Sequence, residues 1–269
     1  MNRSSSKTAS KLAQETGHKA RKRFGQNFLI DQGIIHGIVD AVNPRPGERV
    51  VEIGPGLGAL TQPLLERAGH LHVVELDRDL IARLEKKYTR EKMTIHAGDA
   101  LAFDFSTLGP ELRVVGNLPY NISTPILFHL LDKVEAIRDI HVMLQKEVVD
   151  RMVAPPGHSD RSRLSVMLQR YCYLEPLLEV PPESFDPAPK VNSAVVRMMP
   201  RPIADRLPAD EAALRNVVNA AFSQRRKMVR NTLKPLMSSE QIEVAGVDPT
   251  ERAEQLSEAD FVALAKQLA

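Results

Sequence analysis

Apolar and polar positions fall into two regimes along this chain. From about residue 31 to residue 200, short apolar and β-branched runs alternate with stretches whose apolar residues recur every three or four positions. That alternation predicts a parallel α/β sheet. Strands are expected near 49–53, 72–76, 93–96, 113–116 and 141–145, separated by helices at 33–42, 60–68, 78–88 and 125–131. A charged helix is expected at 146–152, then an exposed loop at 155–160 (PPGHSD). Two further β runs, 174–180 and 194–198, would complete the far edge of the sheet. After Pro200-Arg201-Pro202 the strand pattern stops, and 210–221, 225–233 and 257–268 show helical periodicity alone. The expected organisation is a basic tail over 1–20, a sheet domain over 21–200 and a small helical domain over 201–269.

The first strand runs into Gly54-Pro55-Gly56-Leu57-Gly58 and then a helix. Glycines there let the backbone turn tightly and approach a ligand closely. The spacing G-x-G-x-G differs from the G-x-G-x-x-G of dinucleotide binders. Glu75 ends the next strand, where a carboxylate can accept both hydroxyls of a ribose; a capping or surface acid is the plainer alternative. Asp99 follows the third strand and could accept an adenine amine, or be an ordinary turn aspartate. Together these positions describe an adenosyl pocket. The missing third dinucleotide glycine favours S-adenosyl-L-methionine over NAD, and so disfavours an NAD-dependent oxidoreductase. Glu52 lies near the expected amino-acid end of that cofactor, where a structural role in the loop is equally open.

The fourth strand leads into Asn117-Leu118-Pro119-Tyr120. Pro119 biases Leu118 towards extended geometry, which can turn the Leu118 carbonyl outward. Asn117 offers a second carbonyl and Tyr120 a flat ring. Two acceptors on one aromatic amine favour a more tetrahedral nitrogen with an available lone pair. A sulfonium methyl needs no strong base before attack, so alignment and preorganised dipoles suffice. Reaching such an amine in structured nucleic acid requires an unstacked base, with Tyr120 as one wall. Phe185, in a proline-rich loop with Lys190 beside it, is a candidate second wall, and a hydrophobic plug under that loop stands equally open. Near the start, Asp31 is placed to cap the first helix, with Asn27 and Leu29 as a lid over the cofactor.

Composition narrows the partner. Net charge is only +2, but residues 1–23 carry seven Lys/Arg against one acid, Glu15. That segment can be read as a solubilising tail, a transit peptide or a phosphate-binding arm; Arg21-Lys22-Arg23, abutting the candidate site, favours the arm. Further basic clusters stand at Arg161/Arg163 and on an expected helix bearing Arg225, Arg226 and Lys227. Such cationic surfaces suit a folded RNA. One cysteine, Cys172, precludes an internal disulfide and cysteine-rich zinc sites, and the eight histidines form no HExxH pair, so no metal is expected. No run reaches the roughly 18 apolar residues of a membrane span, and no secretory h-region opens the chain. A cytoplasmic monomer without membrane contact is expected.

Seven stretches carry a resemblance: 23–29 (RFGQNFL), 51–58 (VEIGPGLG), 74–77 (VELD), 117–123 (NLPYNIS), 144–147 (LQKE), 185–193 (FDPAPKVNS) and 222–233 (FSQRRKMVRNTL). From about residue 20 to its end, the chain resembles the bacterial small-subunit ribosomal RNA adenine N6-dimethyltransferases, with the motifs in the expected order. The resemblance implies a Rossmann-like S-adenosylmethionine-dependent methyltransferase sheet with a small C-terminal helical domain. It implies dimethylation of two adjacent adenosines in the hairpin loop near the 3′ end of 16S rRNA, within the immature small ribosomal subunit. Family cofactor contacts fall on Asn27, Leu29, Gly54, Glu75, Asp99 and Asn117, the catalytic motif on 117–120, and the base-stacking aromatics on Tyr120 and Phe185. Residues 1–20 match no family motif. Large-subunit rRNA methylases share the early motifs, but the 185–193 loop and the FSQRRK run favour the small-subunit enzymes. A non-catalytic assembly or transcription factor on the same fold is disfavoured by the intact Asn-Leu-Pro-Tyr.

Overall fold

The computed structural model describes residues 26–268. In chain order its strands are β1 (Phe28–Leu29), β2 (Val50–Ile53), β3 (Leu71–Glu75), β4 (Met93–Ala97), β5 (Leu112–Asn117), β6 (Ile137–Gln145), β7 (Cys172–Val180), β8 (Phe185–Asp186) and β9 (Ser193–Pro200). β1 and β8 form an antiparallel pair; the other seven make one sheet in the order β4-β3-β2-β5-β6-β9-β7. From β4 across to β6 every pairing is parallel. The strand order reverses at β2, which lies between β3 and β5. Such a reversal opens a crevice beyond the carboxyl ends of the two strands. Ile53 stands opposite Gly116 at that point, so Gly54 and Asn117 leave the sheet from neighbouring strand ends.

Side-chain pattern explains these elements. All four residues of β2 and five of six in β5 are buried, as in a parallel sheet covered on both faces. Helix α1 (Gln32–Val42) turns Ile35, Ile38, Val39 and Val42 inward at helical spacing. Asp31 caps it as expected, its Oδ1 accepting from Gly33 N at 2.8 Å and Ile34 N at 3.1 Å. These side chains share one core with Leu64, Leu71 and Val73, each contributing roughly 1.5–3 kcal/mol by its burial. Helix α2 (Thr61–Ala68) follows the glycine loop. Helix α3 (Arg78–Lys87) begins at the cap Asp77 and ends with Lys86 and Lys87, which complement its dipole. Helix α4 (Ser123–Leu131) follows the Asn-Leu-Pro-Tyr turn. Inside the sheet, Arg113 is neutralised by two bonds to Asp139, of 3.0 and 2.7 Å, and one of 2.8 Å to Glu48.

The chain divides into two compact units. One takes the residues up to Lys146 together with Pro176–Arg197; the other takes Glu147–Glu175 and Met198–Ala269. Residues 147–175 thus group with the C-terminal residues, so these compact units do not follow a single cut at 200. Beyond α5 (Lys146–Val153), the second unit contains α6 (Arg163–Tyr171), α7 (Glu211–Ala221), α8 (Val229–Thr232), α9 (Ser239–Val244) and α10 (Glu258–Ala265). Arg170, buried within this unit, bonds Glu258 at 3.0 Å and Glu211 at 3.2 Å. The helix expected at 225–233 shrinks to α8. Phe222 is the C-cap of α7, its amide making the last helical bond to Val218 O at 3.2 Å and its ring stacking on Phe261. Ser223 N then turns to Ala220 O at 3.1 Å, and the helix stops before the arginines. Arg225, Arg226 and Lys227 then occupy a turn closed by Lys227 N donating to Gln224 O at 2.9 Å.

Candidate active site

The glycine loop is built by backbone that only glycine adopts readily. Gly54 and Gly56 have φ of 66° and 60°, and a Cβ at Gly56 would lie 3.3 Å from the Phe28 ring. The loop is fastened to β3, because Gly54 N donates to Val74 O at 2.9 Å and Gly56 N to Glu75 Oε2 at 3.3 Å. The other oxygen of Glu75 accepts from Leu76 N at 2.9 Å and Asp77 N at 2.8 Å. Backbone donors thus hold this carboxylate at the strand end. Burial raises its pKa above the usual carboxylate range, against the pull of those three bonds. Asp99 is exposed and ties its own turn, with Oδ1 accepting from Leu101 N at 2.9 Å.

Across the crevice, β5 delivers Asn117, whose Nδ2 donates to the Asn27 carbonyl at 3.0 Å. That bond orients the carboxamide and leaves Oδ1 as its acceptor. The following turn is held by Leu118 N donating to Met143 O and Ile122 N to Pro119 O, each at 3.1 Å. Tyr120 is half-buried, and its hydroxyl lies 2.6 Å from Ser193 Oγ. Burial raises its pKa, offset by the Ser193 bond.

Asn27, Leu29, Gly54, Gly56, Glu75 and Asp99 line one cavity of about 780 Å³, which Asn117, Leu118, Pro119 and Tyr120 also line. All of these residues belong to the first unit. Among the described residues, the lining side chains include four carboxylates, Glu52, Glu75, Asp99 and Asp186, and no Lys, Arg or His. Carboxyl oxygens with no basic side chain among them favour a cation over a phosphate, even where burial keeps Glu52 protonated. Glu52 is 2% exposed and accepts from Thr61 Oγ1 at 2.6 Å. Burial, with the neighbouring charge of Glu75, pushes its pKa up to about 8 despite that bond.

Three expectations change. Phe185 is 3% exposed and sits in the core with Leu29, its partner across the β1–β8 pair. It is the plug; Asp186, one residue on, lines the cavity instead. Arg161 is no surface cation: at 3% exposure it donates to Leu256 O at 3.2 Å, Ala154 O at 3.0 Å and Gln169 Oε1 at 3.1 Å. Arg225, Arg226 and Lys227 are exposed on a turn, not on a helix, while Lys190 is exposed in the loop after β8. Arg21, Lys22 and Arg23 lie outside the described residues. Sequence reasoning missed Asp186, which no charge pattern singles out, and Ser193, a hydroxyl in a run that gave no sign of its partner.

No helix among the described residues is long and apolar enough to cross a membrane, and no group of three or more His, Cys, Asp or Glu among them could hold a metal ion.

The family model described as ribosomal RNA adenine dimethylase matches residues 17–269. A Dechloromonas aromatica (strain RCB) protein named Ribosomal RNA small subunit methyltransferase A is 61% identical over 252 residues, covering 94% of this chain and 99% of that protein. A crystal structure of a dimethyladenosine transferase from Plasmodium falciparum superposes with a TM-score of 0.72 at 25% identity, over 88% of this chain and 95% of that one. The crystal structure of 23S rRNA methyltransferase ErmE gives 0.68 at 26% identity, over 90% and 99%. The sheet is thus the Rossmann-like methyltransferase fold.

Proposed function

Because the chain belongs to the ribosomal RNA adenine dimethylase family, we propose that it dimethylates N6 of two adjacent adenosines in the 3′-terminal hairpin loop of 16S rRNA. The methyl donor is S-adenosyl-L-methionine, and the substrate is the immature small ribosomal subunit in the cytoplasm. One observation carries this reading: the glycine loop, Glu75 and the Asn-Leu-Pro-Tyr turn line a single cavity that is, among the described residues, rich in carboxylates and free of basic side chains.

That charge fits a cationic adenosyl cofactor and not a dinucleotide pyrophosphate. Glu75 would hold the ribose hydroxyls and Asp99 the adenine amine. Glu52 would face the ammonium end, with Asn27 and Leu29 over the top. When bound, the cofactor supplies a methyl group already activated on a sulfonium sulfur.

The chain's own residues align the acceptor. With Nδ2 engaged by Asn27, the Asn117 Oδ1 accepts from the adenine amine, and the Leu118 carbonyl is the second acceptor. Two acceptors on one amine draw its hydrogens aside and present the lone pair. Because both dipoles are fixed before the base arrives, little reorganisation is needed during transfer. Tyr120 stacks on the extruded base. Lys190 in the first unit, and Arg225, Arg226 and Lys227 in the second, contact phosphates, and Arg21, Lys22 and Arg23 extend that role. The small-subunit assignment is favoured over a large-subunit one because the bacterial relative is far more similar than ErmE.

Asn117→Ala is expected to retain RNA binding while losing methyl transfer by about 100-fold or more, as when a preorganised polar group is removed. Filter binding and tritium incorporation from labelled cofactor into undermethylated small subunits read the two effects. Unchanged incorporation would remove Asn117 from the mechanism.

A further inference from the structure

We propose that Ser193 is a positioning residue that sets the plane of the Tyr120 ring for the target base. The inference rests on the reading of Tyr120 as the wall on which that base stacks.

Tyr120 is fastened at both ends. Its backbone carbonyl accepts from Ser123 Oγ at 3.1 Å, and its hydroxyl shares a hydrogen with Ser193 Oγ at 2.6 Å. Ser193 is 0% exposed and opens β9. The residue before it is itself pinned, since Lys146 N donates to Asn192 O at 2.9 Å. Ser193 is absent from the cavity lining whereas Tyr120 lines it, so the serine acts on a bound base only through the phenol. A tyrosine side chain has two rotatable torsions: a bond at its far oxygen fixes the first by holding that end of the ring in place, and it biases the second because the phenolic O–H and its lone pair prefer to lie in the ring plane, towards Ser193. Stacking contributes only when the ring lies parallel to the base, and transfer requires that base to hold its amine in line. Without Ser193 the half-buried phenol loses its partner and the ring can tilt.

Two substitutions cut the same bond from opposite ends, and Tyr120→Phe keeps the ring and fills its space. Each of Ser193→Ala and Tyr120→Phe is expected to lower kcat/KM for undermethylated small subunits about tenfold, the scale of one hydrogen bond. The double variant should be no slower than either alone. Cofactor affinity by calorimetry should stay at the wild-type value, which a general loss of structure would not allow. Should Ser193→Ala fail to fold, Tyr120→Phe alone decides. Wild-type kcat/KM in Tyr120→Phe, or losses that multiply in the double variant, would overturn the inference. A wild-type protein that leaves adenosine unmethylated defeats the functional reading instead, so the two failures are distinguishable.

Discussion

Glu52 carries a cost that the cavity imposes. Its pKa is pushed up to about 8, first by burial and then by the charge of Glu75, with the Thr61 bond opposing. The folded state therefore holds a proton that the unfolded chain releases near its ordinary carboxylate value. Stability falls as pH rises through the window from about 4.5 to about 8, and the penalty is complete above it. Glu52→Gln keeps the shape without the charge. In thermal melts of the ligand-free protein, the variant should lose less Tm than wild type between about pH 5 and about pH 8, at about 2–4 °C for each kcal/mol relieved. Identical pH slopes would show that Glu52 is ionised throughout. The sequence marks Glu52, Glu75 and Asn117 because each stands at a fixed offset from glycines or from a strand end. It cannot mark Phe185, whose facing depends on a two-residue strand pairing with β1 that no periodicity reveals.

Close approach between strands governs the next level. At Gly116 an added Cβ would come 2.8 Å from the Ile53 carbonyl and 3.1 Å from Leu118 Cδ2. The first contact is backbone, so β2 and β5 must move apart where Gly54 and Asn117 emerge. Gly116→Ala should cost about 1–3 kcal/mol in denaturant unfolding, as overpacking does, and should weaken cofactor binding as well. For stability, Gly98→Ala is the control, because nothing lies within 4 Å of its Cβ position; equal losses of unfolding free energy in both variants would reject the steric account. Strands β2 to β6 are legible because short β-rich runs bounded by turns and alternating with helical stretches admit few other readings, whether fully buried as in β2 or only partly so as in β4. Helix α6 is not, since seven of its nine residues are buried, Arg170 and Tyr171 included, so its polar positions do not mark a solvent face. The arginine run at 225–227 misleads in the opposite sense, because its charges imitate a solvated helix face while Phe222 has already turned the chain.

The two units are interleaved in sequence, with 147–175 and 198–269 grouped apart from the residues between them. A linear reading detects where strand pattern gives way to helix at 200, but not that an earlier segment joins the later one. Arg161 shows why: its three bonds, including one to Leu256, tie distant parts of the second unit together, and in sequence it resembles any loop arginine. The candidate site escapes this difficulty because every described residue lining the cavity comes from the first unit, most of them along the consecutive carboxyl ends of β2 to β5, with Leu29 and Asp186 added by the β1–β8 pair. Function is settled by the nucleoside made. Undermethylated small and large ribosomal subunits, incubated separately with the protein and methyl-labelled S-adenosylmethionine, are digested and their nucleosides separated. Label should appear as N6,N6-dimethyladenosine from the small subunit alone. Label in the large subunit, or in any nucleoside other than methylated adenosine, would contradict the assignment.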